Sequence, residues 1–188
     1  MFCLGFSAIF HLFAAHDKTV KRIFNRLDYA GISLLIVGSC YPPYYYYFYC
    51  NFNYAIGYLT FMSVFGLIIF SISLSNHFDK PEYLKLKGGL FLLLGISAGI
   101  ALVHLDMFPD SIGTFEEKLS IRNYYIGGLC YIVGAVIYIL RVPERFKPGL
   151  FDYIGNSHNI FHLFVLAGFA LHYEGGIKSY YYRLNHSC

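Results

Sequence analysis

Hydrophobic positions in this chain fall in long unbroken runs rather than in alternation or in narrow helical stripes. The runs cover Tyr29–Cys50, Tyr54–Ser75, Gly88–Leu105, Asn123–Leu140 and Tyr153–Tyr173. A bilayer span takes about 20 mostly apolar residues, so each run predicts a membrane-crossing helix once flanking residues extend the two shorter ones. A further apolar stretch, Met1–Ala15, rises about 22 Å as a helix, short of the roughly 30 Å hydrocarbon core. It has no basic leader and carries a histidine, so it does not suit a signal peptide. It predicts the second half of a helix, and hence an N-terminally truncated chain. The expectation is one polytopic all-α membrane domain over 1–188, with spans near 1–15, 29–50, 54–75, 87–105, 123–141 and 153–173.

Composition agrees. The 188 residues are 57% hydrophobic and 13% charged, with a mean hydropathy of +0.51, which is too apolar for an ordinary soluble domain. The net charge of +3 is too small to suggest a nucleic-acid surface. None of the five cysteines forms a C-x-x-C pair, so neither a disulfide framework nor a thiolate zinc site is expected.

Charge supplies an orientation. The connections 16–28, 76–87 and 141–152 hold Lys18, Lys21, Arg22, Arg26, Lys80, Lys85, Lys87, Arg141, Arg145 and Lys147. The alternate connections and the tail hold only Lys118, Arg122, Lys178 and Arg183. By the positive-inside rule the first set faces the cytoplasm, which places the C-terminus on the extracellular or lumenal side. At the outer end of the second run stands YPPYYYYFYC, residues 41–50. Pro42 and Pro43 predict a kink or interruption there, and the tyrosines suit an interfacial aromatic belt.

The candidate chemistry lies at the opposite end. His158 and His162 are four residues apart at the start of the last run, so both rings lie on one helix face. Ser7 and His11 repeat that spacing in the first stretch, and Asp28 opens the next run. With the orientation above, His11, Asp28, His158 and His162 all fall in the cytoplasmic leaflet, His158 lying six residues after Asp152. Ionisable groups at membrane depth are costly, so their convergence on one level points to a site. His172 is about 15 Å further along its helix and cannot share it. The plainer readings are interhelical hydrogen bonds for the histidines, a back-bond to its own helix for Ser7 and an N-cap for Asp28. His104 and His172 read as interhelical hydrogen bonders. His16, His77 and His186 read as solvated.

The stretches SAIFHLFAAH (7–16), RLDYAGISLLIVGS (26–39), PPYYYYFYC (42–50), RVPERFKPGLFD (141–152) and SHNIFH (157–162) carry a family likeness. The chain resembles the progestin and adipoQ receptor family, also called haemolysin III-related, and its adiponectin receptor branch in particular. The resemblance covers essentially the whole chain. It implies a seven-transmembrane bundle, here lacking helix one and half of helix two. It implies three zinc ligands, His11, His158 and His162. Asp28 is then the carboxylate that holds a zinc-bound water, and Ser7 matches the family serine, so these two are the candidate catalytic residues. Some members of the family resemble ceramidases.

The implied function is hydrolysis of ceramide-type lipid amides by zinc-bound water, with Zn2+ as cofactor and a membrane lipid as substrate. The rival is a signalling receptor, responding to an extracellular ligand, in which zinc is structural. A purely structural three-histidine site open to water is uncommon, because structural zinc sites tend to be closed. A pore or transporter ranks last, since the spans hold few charges. The expected location is the plasma membrane or an endomembrane.

Overall fold

A computed structural model describes residues 2–13, 15–107, 115–151 and 154–186. Met1, Asp152 and Tyr153, which bound expected elements, and Ala14, within the first expected span, lie outside these. The described residues form six α-helices: α1 (Phe2–Leu12), α2 (Lys18–Tyr47), α3 (Phe52–Leu74), α4 (Leu84–Met107), α5 (Phe115–Leu140) and α6 (Ser157–Asn185). Two short 3-10 turns lie between α3 and α4. Four of the helices, α3 to α6, are long and apolar enough to cross a membrane. α2 carries basic residues, two prolines and a run of tyrosines, yet it is the centre of the bundle, packing on α1, α3, α4 and α6. The apolar core gathers along it, with Tyr44, Met62, Ile69, Leu94 and Leu105 fully buried.

α2 corrects the expectation for Asp28. The helix starts at Lys18, and Asp17 is its N-cap, accepting from the Thr19 N–H at 3.0 Å. That hydrogen bond holds the Asp17 carboxyl below the usual carboxylate range. Asp28 therefore stands eleven residues inside a helix, about 16 Å from its start, and caps nothing. The charged stretch 16–28 is largely helix rather than loop. α2 also runs through Pro42 and Pro43 to Tyr47 instead of stopping. Pro43 cannot donate to the carbonyl of Ser39, one turn back. That carbonyl instead faces His172 Nδ1 on α6 at 3.3 Å, so the ring donates in place of the missing N–H.

Close helix contacts rest on glycines. A Cβ on Gly31 would stand 2.9 Å from the Cys3 Cα, so α1 lies directly against α2 one turn beyond Asp28. Between α5 and α6, Gly127 and Gly168 face each other. A Cβ on Gly168 would meet the Gly127 carbonyl oxygen at 2.9 Å and Tyr131 Cε1 at 2.7 Å. At the basic-loop end, the Arg26 guanidinium of α2 grips Asp79 beyond α3 through Nε, 3.0 and 2.9 Å from the two oxygens, and through Nη2. This pairing holds the Asp79 carboxyl below its ordinary value.

Two further expectations change. Cys50 is disulfide-bonded, which the expectation of no disulfide framework did not foresee, while Cys3, Cys40 and Cys130 are free thiols. α6 continues twelve residues past Tyr173, ending at Asn185, with Glu174 and Lys178 ion-paired on its surface. His104 and His172 do bond between helices, to Tyr58 OH (2.7 Å) and to the Ser39 carbonyl. His16, His77 and His186 are exposed.

Candidate metal centre

α6 begins with an ordered first turn. Asn156 caps it, accepting from the Asn159 N–H at 2.9 Å, and Asn159 in turn accepts from the Gly155 N–H at 3.1 Å. Glu144, in the loop after α5, receives the Ser157 N–H at 2.8 Å and also the Ser157 hydroxyl. Desolvation raises the Glu144 carboxyl, but the Ser157 donors and nearby Arg141 outweigh it and leave it below its ordinary value. This turn fixes where His158 and His162 point. The close approach of α1 to α2 at Gly31 fixes His11 from the other side.

The three rings meet. His11 Nε2 lies 3.2 Å from His158 Nε2, which lies 2.9 Å from His162 Nε2. All three nitrogens are within 4.8 Å of one another. A tetrahedral zinc with bonds of about 2.0–2.1 Å sets its nitrogen ligands about 3.3–3.4 Å apart, and the two separations at His158 lie within about 0.5 Å of that. As hydrogen-bonding partners these rings match poorly. A neutral imidazole has one donor and one acceptor, and here three Nε2 atoms face a common point. The donor set fits a zinc ion. Ser7, buried on α1, brings its hydroxyl 3.3 Å from His162 Nε2. Asp28 faces Ser7, His11 and His158 from α2. All five residues singled out from the sequence are thus assembled, and His172 is not among them.

The site opens into a cavity of about 800 Å³, lined by the three histidines together with Tyr138, Arg141, Glu144, Asn156 and Asn159, among others. His11 is exposed at its rim, while His158 and His162 are half-buried. Tyr138 packs edge-on against His158, ring centroids 5.4 Å apart. The sequence placed none of Tyr138, Arg141 and Glu144 at this site. Arg141 and Glu144 stand in the RVPER stretch, which shows nothing of the cavity until the loop folds under α6, and Tyr138 lies within the apolar run before it.

Residues 1–173 match the family described as haemolysin-III related. The chain belongs to that family. It is 40% identical over 187 residues, 98% of its length, to an adiponectin receptor protein of Drosophila melanogaster. It is 42% identical over 92% of its length to heptahelical transmembrane protein 3 of Arabidopsis thaliana. It is 36% identical over 99% of its length to progestin and adipoQ receptor-like protein 1 of Caenorhabditis elegans. It spans 41%, 49% and 43% of these relatives. This haemolysin-III-related chain is an adiponectin receptor-like, multi-pass integral membrane protein.

Proposed function

We propose that His11, His158 and His162 hold a zinc ion within the membrane, and that the protein hydrolyses lipid amides of the ceramide type. The observation that carries this reading is the meeting of three Nε2 atoms, drawn from both ends of the chain, beside a carboxylate. When bound, zinc supplies Lewis acidity, which brings water toward a pKa of about 7 and polarises a carbonyl oxygen. Asp28 orients the attacking water and takes its proton at a carboxylate oxygen. The water oxygen bonds to the acyl carbon, the C–N bond breaks, and the proton held by Asp28 passes to the leaving nitrogen. The products are a fatty acid and an amine. Ser7, beside both His162 and Asp28, steadies the direction in which the carboxylate faces. A site inside a helix bundle suits a substrate whose acyl chain already lies in the bilayer.

A second reading has an observation of its own: two of the relatives carry the word receptor in their names. In that reading zinc ties α1 and α6 together beside α2, and an extracellular ligand shifts the bundle. Both readings share an orientation with the C-terminus extracellular or lumenal, in the plasma membrane or an endomembrane. The basic loops support it, and so does the disulfide at Cys50, because disulfides belong to oxidising compartments.

The test is zinc content and fatty-acid release from ceramide for the purified protein, for His158→Ala/His162→Ala and for Asp28→Asn. Hydrolysis predicts about one zinc per chain, lost in the double variant, with Asp28→Asn keeping zinc and losing release. Zinc without release in the unmodified protein favours the receptor. A folded protein that takes up no zinc at saturation removes the zinc reading altogether.

A further inference from the structure

α5 ends in a Schellman arrangement. The Arg141 N–H donates to Tyr138 O and the Val142 N–H to Ile137 O, both at 3.2 Å. The residue at the turn has φ +52°, and glycine is the usual occupant because any Cβ is crowded there. Here it is Arg141, whose side chain lines the same cavity as the three histidines. A steric cost that glycine would avoid is therefore borne by a residue that brings a permanent positive charge to the cavity.

The other polar groups at this mouth have their acceptors engaged. Asn156 Oδ1 accepts from the Asn159 N–H, and Asn159 Oδ1 accepts from the Gly155 N–H. Because each oxygen faces a backbone donor, the amide orientations are fixed, and what turns elsewhere is NH2 in both cases. Glu144 is the one acidic group among the lining residues, and both of its oxygens receive from Ser157. What the mouth has left to offer a ligand is two amide NH2 groups and a guanidinium. These are all donors, and the one positive charge among them stands near the carboxylate of Glu144, whose two oxygens receive from Ser157.

We propose that this mouth is an oxyanion subsite, built by Arg141 with Asn156 and Asn159, that takes a phosphate-type group. Guanidinium and paired N–H donors match the geometry of such a group. The subsite shares the cavity with the histidines but depends neither on zinc nor on any reaction there. Two sources carry this chemistry, a lipid headgroup in the adjoining leaflet and a free phosphate.

The experiment is a binding titration of the full chain in non-ionic detergent, with a metal chelator present so that zinc cannot hold the probe. Octyl phosphate, octanol and inorganic phosphate are compared on the unmodified protein, Arg141→Gln and Arg141→Gly. The glycine variant relieves the turn, so its thermal midpoint should equal or exceed that of the unmodified protein. The expected result is saturable binding of octyl phosphate, at least tenfold weaker in both variants, with octanol far weaker than octyl phosphate. Failure of inorganic phosphate to compete identifies a lipid headgroup as the source, and effective competition identifies a free anion. The subsite is overturned if octyl phosphate does not bind, if octanol binds as tightly, or if Arg141→Gly keeps full affinity. Turnover of ceramide is not read in this assay, so failure of the hydrolase reading leaves its outcome unaffected.

Discussion

The facing glycines of α5 and α6 allow a controlled perturbation. In Gly168→Ala the added Cβ would stand 2.9 Å from the Gly127 carbonyl oxygen and 2.7 Å from Tyr131 Cε1, where ordinary contact begins at 3.4 Å. The tyrosine ring can swing aside, but the carbonyl belongs to the backbone of α5, so the two helices must part by about 0.5 Å at that level. Overpacking of this kind costs about 1–3 kcal/mol. Alanine also favours a helix over glycine by about 0.5–1 kcal/mol, which offsets part of the loss. Gly128→Ala is the reference, because a Cβ there meets nothing within 4 Å. It carries the same helix gain without the clash, so the difference between the two variants isolates the packing. At about 2–4 °C per kcal/mol for a chain of this size, Gly168→Ala should melt roughly 2–12 °C below Gly128→Ala. The assay is thermal unfolding of both purified proteins in the same detergent. Equal midpoints, or a higher one for Gly168→Ala, would refute the close contact between α5 and α6. Gly168 is six residues from His162, so on the proposed zinc reading the same displacement should also weaken zinc retention.

Two further outcomes can be checked on the same preparation. His172→Phe keeps a ring between Tyr124 and Tyr131 but leaves the Ser39 carbonyl, already deprived of a donor by Pro43, without one. The loss should be about 1–3 kcal/mol, read as a lowered melting temperature, and little change would mean that carbonyl has another donor. Asp79 has a depressed folded pKa, so its pairing contributes stability above the unfolded value of about 3.9 and loses it as pH falls through the folded value. Asp79→Asn should therefore lower the melting temperature at pH 7, by a deficit that shrinks in acid as the pH falls through the folded value. A deficit that stays the same in acid would assign the loss to something other than charge.

The site was legible in the sequence because helical spacing does not depend on tertiary context. Ser7 with His11, and His158 with His162, lie on single faces whatever the bundle does around them. Asp28 does join that cluster, but from inside a helix rather than from the helix start expected of it. The basic residues upstream of it end the apolar run without ending the helix, which starts at Lys18. A helix can continue into the headgroup region with its charges facing water, as α2 does before Asp28 and α6 does after Tyr173. The cavity mouth was not legible. Arg141 and Glu144 reach it only through a loop that turns back on α6, and no periodicity encodes that fold. The absence of an interruption at Pro42 and Pro43 was not legible for a related reason: the donor that makes good the lost hydrogen bond comes from residue 172, far away in sequence.

The centre joins His11 to His158 and His162, at opposite ends of the chain. A ribosome adding about 5–20 residues per second needs roughly 8–30 s to pass from the first of these to the last. Until residue 158 is added the nascent protein has only one imidazole of the three in place. If the three histidines hold zinc as proposed, metal capture follows insertion of the last helix. Chains arrested earlier, or with that helix misplaced, would remain without metal however much zinc surrounds them. Occupancy would then record completed biogenesis, giving the cell a chemical mark by which finished molecules differ from abandoned ones.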